Sequence, residues 1–185
     1  MKATGIVRRI DDLGRVVIPK EIRRTMRIRE GDPLEIYTDR EGEVIFKKYS
    51  PIGELASFAS QYAETLHRVC SLAVIICDRD AVIACSGVSR KDYAEKPLSK
   101  ELETIVESRS FYEQKEGNEP VPVLSGGNSL YVSSAMPIIS GGDIVGCVAS
   151  LTDSPEAGHR ENLSHEVESK LIMTAAGFLG RQLED

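Results

Sequence analysis

Apolar positions near the start of the chain come in short β-branched runs. Val7 and Val16-Val17-Ile18 flank Asp11-Asp12-Leu13-Gly14, a turn whose glycine tolerates positive φ. The pattern predicts strand, turn, strand. Ile18-Pro19 breaks it, and Pro19 suits the first position of a short helix over Lys20–Met26 with Ile22 and Met26 on one face. Gly31-Asp32 ends that unit. Leu34–Ile36 and Val44–Phe46 then alternate with polar neighbours around Asp39-Arg40-Glu41-Gly42, a second hairpin. Strict alternation places Arg8 with Ile6 and Ile10, and Arg9 with Val7, so neither face of the first strand is purely apolar.

Beyond Lys47-Lys48-Tyr49 the period changes. Ser50-Pro51 is a capping pair, and Ile52, Leu55, Phe58, Ala59, Tyr62, Leu66 and Val69 recur at helical spacing. A helix of about five turns follows the first module. Leu72–Cys77 and Ala81–Cys85 read as strands about the turn Asp78-Arg79-Asp80, and Leu98–Ser108 reads as a helix with Leu98, Leu102, Ile105 and Val106 inward. Tyr131–Ile139 and Ile144–Leu151 form a long hairpin about Ser140-Gly141-Gly142-Asp143. Leu163, Val167, Leu171, Ala175, Phe178 and Leu179 mark a closing helix over Asn162–Leu183. Helix, hairpin, helix, hairpin, helix predicts an antiparallel sheet with helices packed on it. The two amphipathic helices suit core packing, a shared bundle between chains, or both.

Charge divides the chain at the same place. Residues 1–29 carry nine Lys or Arg against three acids, while the whole 185-residue chain has a net charge of −6. Residues 1–50 sum to +3 and residues 51–185 to −9. A basic end on an acidic protein points to a polyanionic partner, here nucleic acid. Lys20/Arg24 and Arg23/Arg27 stand four apart on the expected helix, a like-charge spacing that costs a few tenths of a kcal/mol per pair and that a bound phosphate relieves. About 50 residues bury too little apolar surface to stand alone, and the module has neither cysteines nor metal spacing. Self-association is the remaining route.

The segment TGIVRRIDDLGRVVIPKEIRRTM, followed by GDPLEIY and VIFKKY, resembles the AbrB-like transition-state regulator DNA-binding domain. The resemblance covers about 45 residues. It implies a swapped-hairpin β-barrel in which two chains interleave, with DNA contact through Arg8, Arg15, Arg23 and Arg24 and with Lys2 and Arg9 as further candidates. The later segments CDRDAVIACSG and MPIISGGDIVGCVASL are similar to GAF and PAS-type sensor domains, which hold a small molecule between sheet and covering helices. The pairing of the two domains resembles a family of sporulation-stage transcription regulators.

The expected architecture is therefore α+β. A dimeric swapped-hairpin β-barrel over residues 1–50 joins, through a linker helix at 51–70, a GAF/PAS-like antiparallel sheet with flanking helices at 71–185. The expected function is sequence-specific binding of double-stranded DNA, as activator or repressor, by a homodimer joined through the first domain and a homotetramer joined through the second. Ser86, Ser133 and Ser134 are candidate pocket groups for an unidentified small-molecule effector; the alternative is that they are ordinary strand serines. No cofactor, metal or catalytic residue is expected. His67, His159 and His165 lack ligand spacing.

Cys70, Cys77, Cys85 and Cys147 form no CxxC pair, and the last three lie in apolar runs that favour buried, reduced thiols. With no signal peptide and no apolar stretch of about 18 residues, the expected location is cytoplasmic and nucleoid-associated, with no membrane contact. Two other functions fit the pattern less well. A GAF-fold thiol reductase needs a thiolate near cations, whereas Cys77, Cys85 and Cys147 sit among Val, Ile and Ala. A DNA-binding antitoxin usually carries a disordered toxin-wrapping tail, whereas this tail is patterned and globular.

Overall fold

The computed structural model describes residues 4–127, 129–153 and 163–184. They fall into two units, Met1–Tyr49 and Ser50–Asp185. In the first, α1 (Lys20–Thr25) precedes an antiparallel hairpin, β1 (Leu34–Thr38) and β2 (Val44–Lys48), in register from Leu34↔Lys48 to Thr38↔Val44.

The first expected hairpin is closed only at its turn. Asp11 Oδ1 accepts from the backbone N–H groups of Leu13 (3.0 Å) and Arg15 (2.8 Å), and the Asp11 N–H reaches the Arg15 carbonyl at 3.1 Å. Beyond that bond the flanking segments form no ladder among the described residues. The cause is visible in burial: Val7 is 86% exposed and Val17 71%, so a single chain offers these β-branched residues no sheet to pack on.

The expected helical stack of Arg23 and Arg27 is also not formed. Arg27 leaves α1 at φ 52°, while the Ile28 N–H returns to the Arg23 carbonyl at 2.7 Å and the Arg27 N–H to that of Arg24 at 3.3 Å. This is a Schellman C-cap with arginine where glycine is usual. Lys48 Nζ reaches the Arg27 carbonyl at 2.9 Å and the buried Asp32 carboxylate at 3.3 Å, tying the helix exit to β2.

In the second unit, α2 (Pro51–Glu54) and α3 (Ala56–Cys70) replace the single expected helix, with a break at Leu55. Ser50 caps α2, its Oγ accepting from the Gly53 N–H at 3.2 Å. After them come β3 (Ala73–Cys77), β4 (Val82–Ser86), α4 (Arg90–Tyr93), α5 (Lys100–Glu107), β5 (Tyr112–Glu113), β6 (Tyr131–Ser140), β7 (Asp143–Thr152) and α6 (His165–Gln182). The sheet runs β4-β3-β7-β6-β5, every pair antiparallel. Single-turn α4 and two-residue β5 are too short to show a period in sequence.

Helices cover both sheet faces, which is why β3 reads as a continuous apolar run. Val74 and Ile76 join Ile52, Ala59, Ala63, Leu66, Ile172 and Leu179 in one core beneath α2, α3 and α6. Ile75 and Cys77 face the other core with Leu102, Ile105 and Val106 of α5. Each fully buried Leu or Ile contributes about 1.5–3 kcal/mol.

The closing helix is rotated from its expected stripe. Ile172, Ala175, Ala176, Leu179 and Gly180 face inward with Glu168, while Val167 and Phe178 stay exposed. Small residues explain the choice: at Gly180 a side chain would collide with the Ile139 carbonyl, so α6 lies closer to β6 than a leucine face allows.

Candidate nucleic-acid interface and sensor-domain cavity

The candidate arginines of the first unit flank the Asp11–Gly14 turn and lie on α1. Arg8, Arg9, Arg23 and Arg24 are exposed, and among the described residues their guanidinium groups make no hydrogen bond or ion pair. Arg15 differs, since its Nε donates to Asp11 Oδ2 at 2.8 Å. The Arg15 backbone N–H and then its guanidinium hold the Asp11 carboxyl below its ordinary value. Arg15 thus remains 68% exposed but is oriented by the turn, with its outer nitrogens available for a phosphate or a base edge. The i,i+4 spacing of Asp11 and Arg15 was the sequence signal for this pair. Lys2 lies outside the described residues, as does His159.

The candidate serines of the second unit do not share one pocket. Ser134 is fully buried, its hydroxyl 2.9 Å from that of Ser150 on β7. Both face the carboxylate of Glu168, only 3% exposed, at 3.4 Å from Ser134 Oγ and 2.5 Å from Ser150 Oγ. A buried carboxylate needs such donors, so these serines satisfy α6. Ser133 is buried where the β6–β7 register shifts, and its carbonyl accepts from the Gln114 N–H at 2.8 Å. Ser86 lines a cavity of about 340 Å³ between α3, β4 and α4, whose lining does not include Ser133 or Ser134.

That cavity also draws His67 and Arg68 from α3, Cys85 from β4 and Arg90 from α4. Sequence reading missed the set because its members lie on separate elements with no fixed spacing. His67 Nδ1 bonds the Leu72 carbonyl at 3.0 Å. Gly87, at φ 76°, permits this: a Cβ there would lie 2.6 Å from His67 Nδ1 and 2.9 Å from Ala73 Cα.

The cysteines divide by depth. Cys77 and Cys147 are fully buried cross-strand neighbours, and Cys70 and Cys85 are half-buried. The hydrogen bond with the Cys147 side chain, together with burial, pushes the Cys77 thiol well up. Burial also raises Cys85, against the pull of Arg90. No group of three or more His, Cys, Asp or Glu with metal-binding geometry occurs among the described residues.

A basic, largely unpaired recognition unit followed by a helix-covered sensor-type sheet defines a two-domain DNA-binding transcription regulator. The family model "Stage V sporulation protein T C-terminal, transcription factor" matches residues 54–184, and "Antidote-toxin recognition MazE, bacterial antitoxin" matches residues 7–53. The chain is 52% identical over 184 residues to stage V sporulation protein T of Bacillus subtilis (strain 168), covering 100% of this chain and 99% of that protein. It is 65% identical over 51 residues to the transition state regulatory protein AbrB of the same organism, covering 28% of this chain and 52% of that one. The chain belongs to the stage V sporulation protein T family and is a sporulation-stage transcription regulator.

The second unit also resembles, at 17% identity and a TM-score of 0.50, a type II free methionine-R-sulfoxide reductase from Thermoplasma acidophilum, over 71% of this chain and 94% of that one. That likeness concerns the fold.

Proposed function

We propose that the chain acts as a homodimer whose first units interleave into one barrel and grip double-stranded DNA with Arg8, Arg15, Arg23 and Arg24, aided by Lys2 and Arg9. The observation that carries this reading is the first unit's surface. Ile6, Val7, Ile10, Leu13, Val16 and Val17 are all exposed, and so are Arg8, Arg9, Arg23 and Arg24, whose guanidinium groups make no hydrogen bond or ion pair among the described residues. A second copy covers the former and phosphates neutralise the latter. The site of action is the cytoplasm, on the nucleoid.

The second unit joins dimers into tetramers through the outward faces of α3 and α6. There Phe58, Tyr62 and Phe178 cluster with ring centroids 5.6–6.5 Å apart, and Val167 and Met173 add exposed apolar surface. It also takes a small effector, whose binding is reported through the 51–70 helical segment. Its role is regulatory: the buried Cys77 and Cys147 thiols are poor nucleophiles. The antitoxin reading loses ground because residues 54–184 match a transcription-factor domain. No helix among the described residues is long and apolar enough to cross a membrane.

Joint replacement of Arg23→Ala and Arg24→Ala tests the interface by fluorescence anisotropy on duplex DNA. Affinity falls at least about tenfold while the dimer persists; unchanged affinity contradicts the assignment.

A further inference from the structure

We infer that the cavity between α3, β4 and α4 is a binding site for a small anionic molecule carrying a carboxylate or phosphate, recognised chiefly by Arg90 and Ser86. This rests on the reading of the second unit as an effector domain, and it gives that effector a place and a chemical class. The cavity's volume of about 340 Å³ lies at the lower end of the ~300–1,000 Å³ typical of small-molecule pockets.

Charge sets the class of ligand. Residues 51–185 carry a net −9, yet the cavity lining contains two arginines and a single acid, Glu64. Glu64 is held by Arg68 at 3.6 Å in a solvent-exposed pair, which contributes little and is readily exchanged for a ligand anion. The guanidinium of Arg90 and the hydroxyl of Ser86 make no hydrogen bond or ion pair among the described residues. They are donors without acceptors in the lining of one cavity, groups that a planar carboxylate or a phosphate satisfies.

The neighbouring groups are fixed from behind. Because a carbonyl only accepts, His67 Nδ1 carries the proton given to Leu72, leaving Nε2 as the ring atom free for a ligand. Gly87 keeps the end of β4 against this ring. Ser60, Glu64, His67 and Arg68 all belong to α3, which follows the DNA-binding unit in the chain after only the short α2, so occupancy bears on the helical segment that continues from that unit.

The test uses the full chain, titrated with inorganic phosphate in one arm and succinate in the other, at constant ionic strength. Binding is followed by amide chemical shifts, with alkylation of the half-buried Cys85 as a second readout. At least one probe should saturate, shift the Ser86–Arg90 amides and slow Cys85 alkylation. Arg90→Gln should weaken it about tenfold or more, with Ser86→Ala also weakening it. Arg181→Gln, which removes the same charge from an exposed position of α6 outside the cavity lining, should leave probe binding unchanged. Arg90 is exposed, so an unchanged melting temperature confirms that the variant folds.

Absence of saturable binding in both arms overturns the site, as does equal weakening in Arg181→Gln. The wider effector reading separates from this one through DNA affinity. If a probe binds through Arg90 but leaves DNA affinity unchanged, the site stands and regulation by it fails. If an effector alters DNA affinity equally in Arg90→Gln and the parent, regulation stands and this site fails.

Discussion

The two units solve the same problem in opposite ways. The second closes two cores on one five-stranded sheet, with Ile75, Ile76, Leu102, Ile172 and Leu179 inaccessible to solvent. The first contributes no apolar residue to either core and exposes its β-branched positions, although its sequence alternates as clearly. Length is the difference: about 130 residues can cover a sheet on both sides, and about 50 cannot. On the proposed reading, a motif too short to fold alone takes its core from a second copy, which would also double the arginines offered to DNA.

The largest effect is expected where the comparison is sharpest. On a wet surface Val17→Asp shifts stability by no more than about 0.5 kcal/mol. Buried against a second copy, the unpaired carboxylate costs several kcal/mol, and dimer dissociation rises by at least about a hundredfold. Sedimentation equilibrium distinguishes the two, and a dimer unaffected by Val17→Asp removes the interleaved reading.

Gly146→Ala probes the closed unit instead. A Cβ at Gly146 would collide with the Cys77 carbonyl at the centre of the sheet. Overpacking there should cost about 1–3 kcal/mol in thermal unfolding of the second unit, leaving DNA affinity per folded dimer unchanged. A neutral effect would show that β3 and β7 can part.

The smallest effect lies in the first unit's turn. Asp11 has a lowered folded pKa, so its contribution is fully present above the ordinary value near 3.8 and is lost as pH falls through the lower folded value. The Leu13 and Arg15 amide shifts should titrate with a midpoint below 3.8. A midpoint at or above it means that the Asp11–Arg15 contact is not held in solution.

Local signals were legible and long-range ones were not. The Ser140–Asp143 turn, the β6–β7 hairpin and the Ser50 cap follow from residues adjacent in sequence. The basic character of the first unit was readable through its charge, and its family through the surrounding motif. The α6 face was misread because Val167 and Phe178 are more apolar than Glu168 and Gly180, yet close packing on Ile139 and the Ser134/Ser150 donors decide which side turns inward. Grouping Ser86 with Ser133 and Ser134 failed for the same reason. Chemistry at each serine is alike, and only the sheet order separates the β4 edge from the β6–β7 pair. The departure of Arg27 from α1 is set by its ties to β2, more than fifteen residues on.

The central claim is that a dimer of this chain holds DNA through its basic first units. The salt dependence of duplex binding by the full chain tests it most directly. With four arginines per chain on phosphates, log K against log[salt] should fall with a slope of roughly −7, from about −0.9 per contact. A slope near zero would contradict the account.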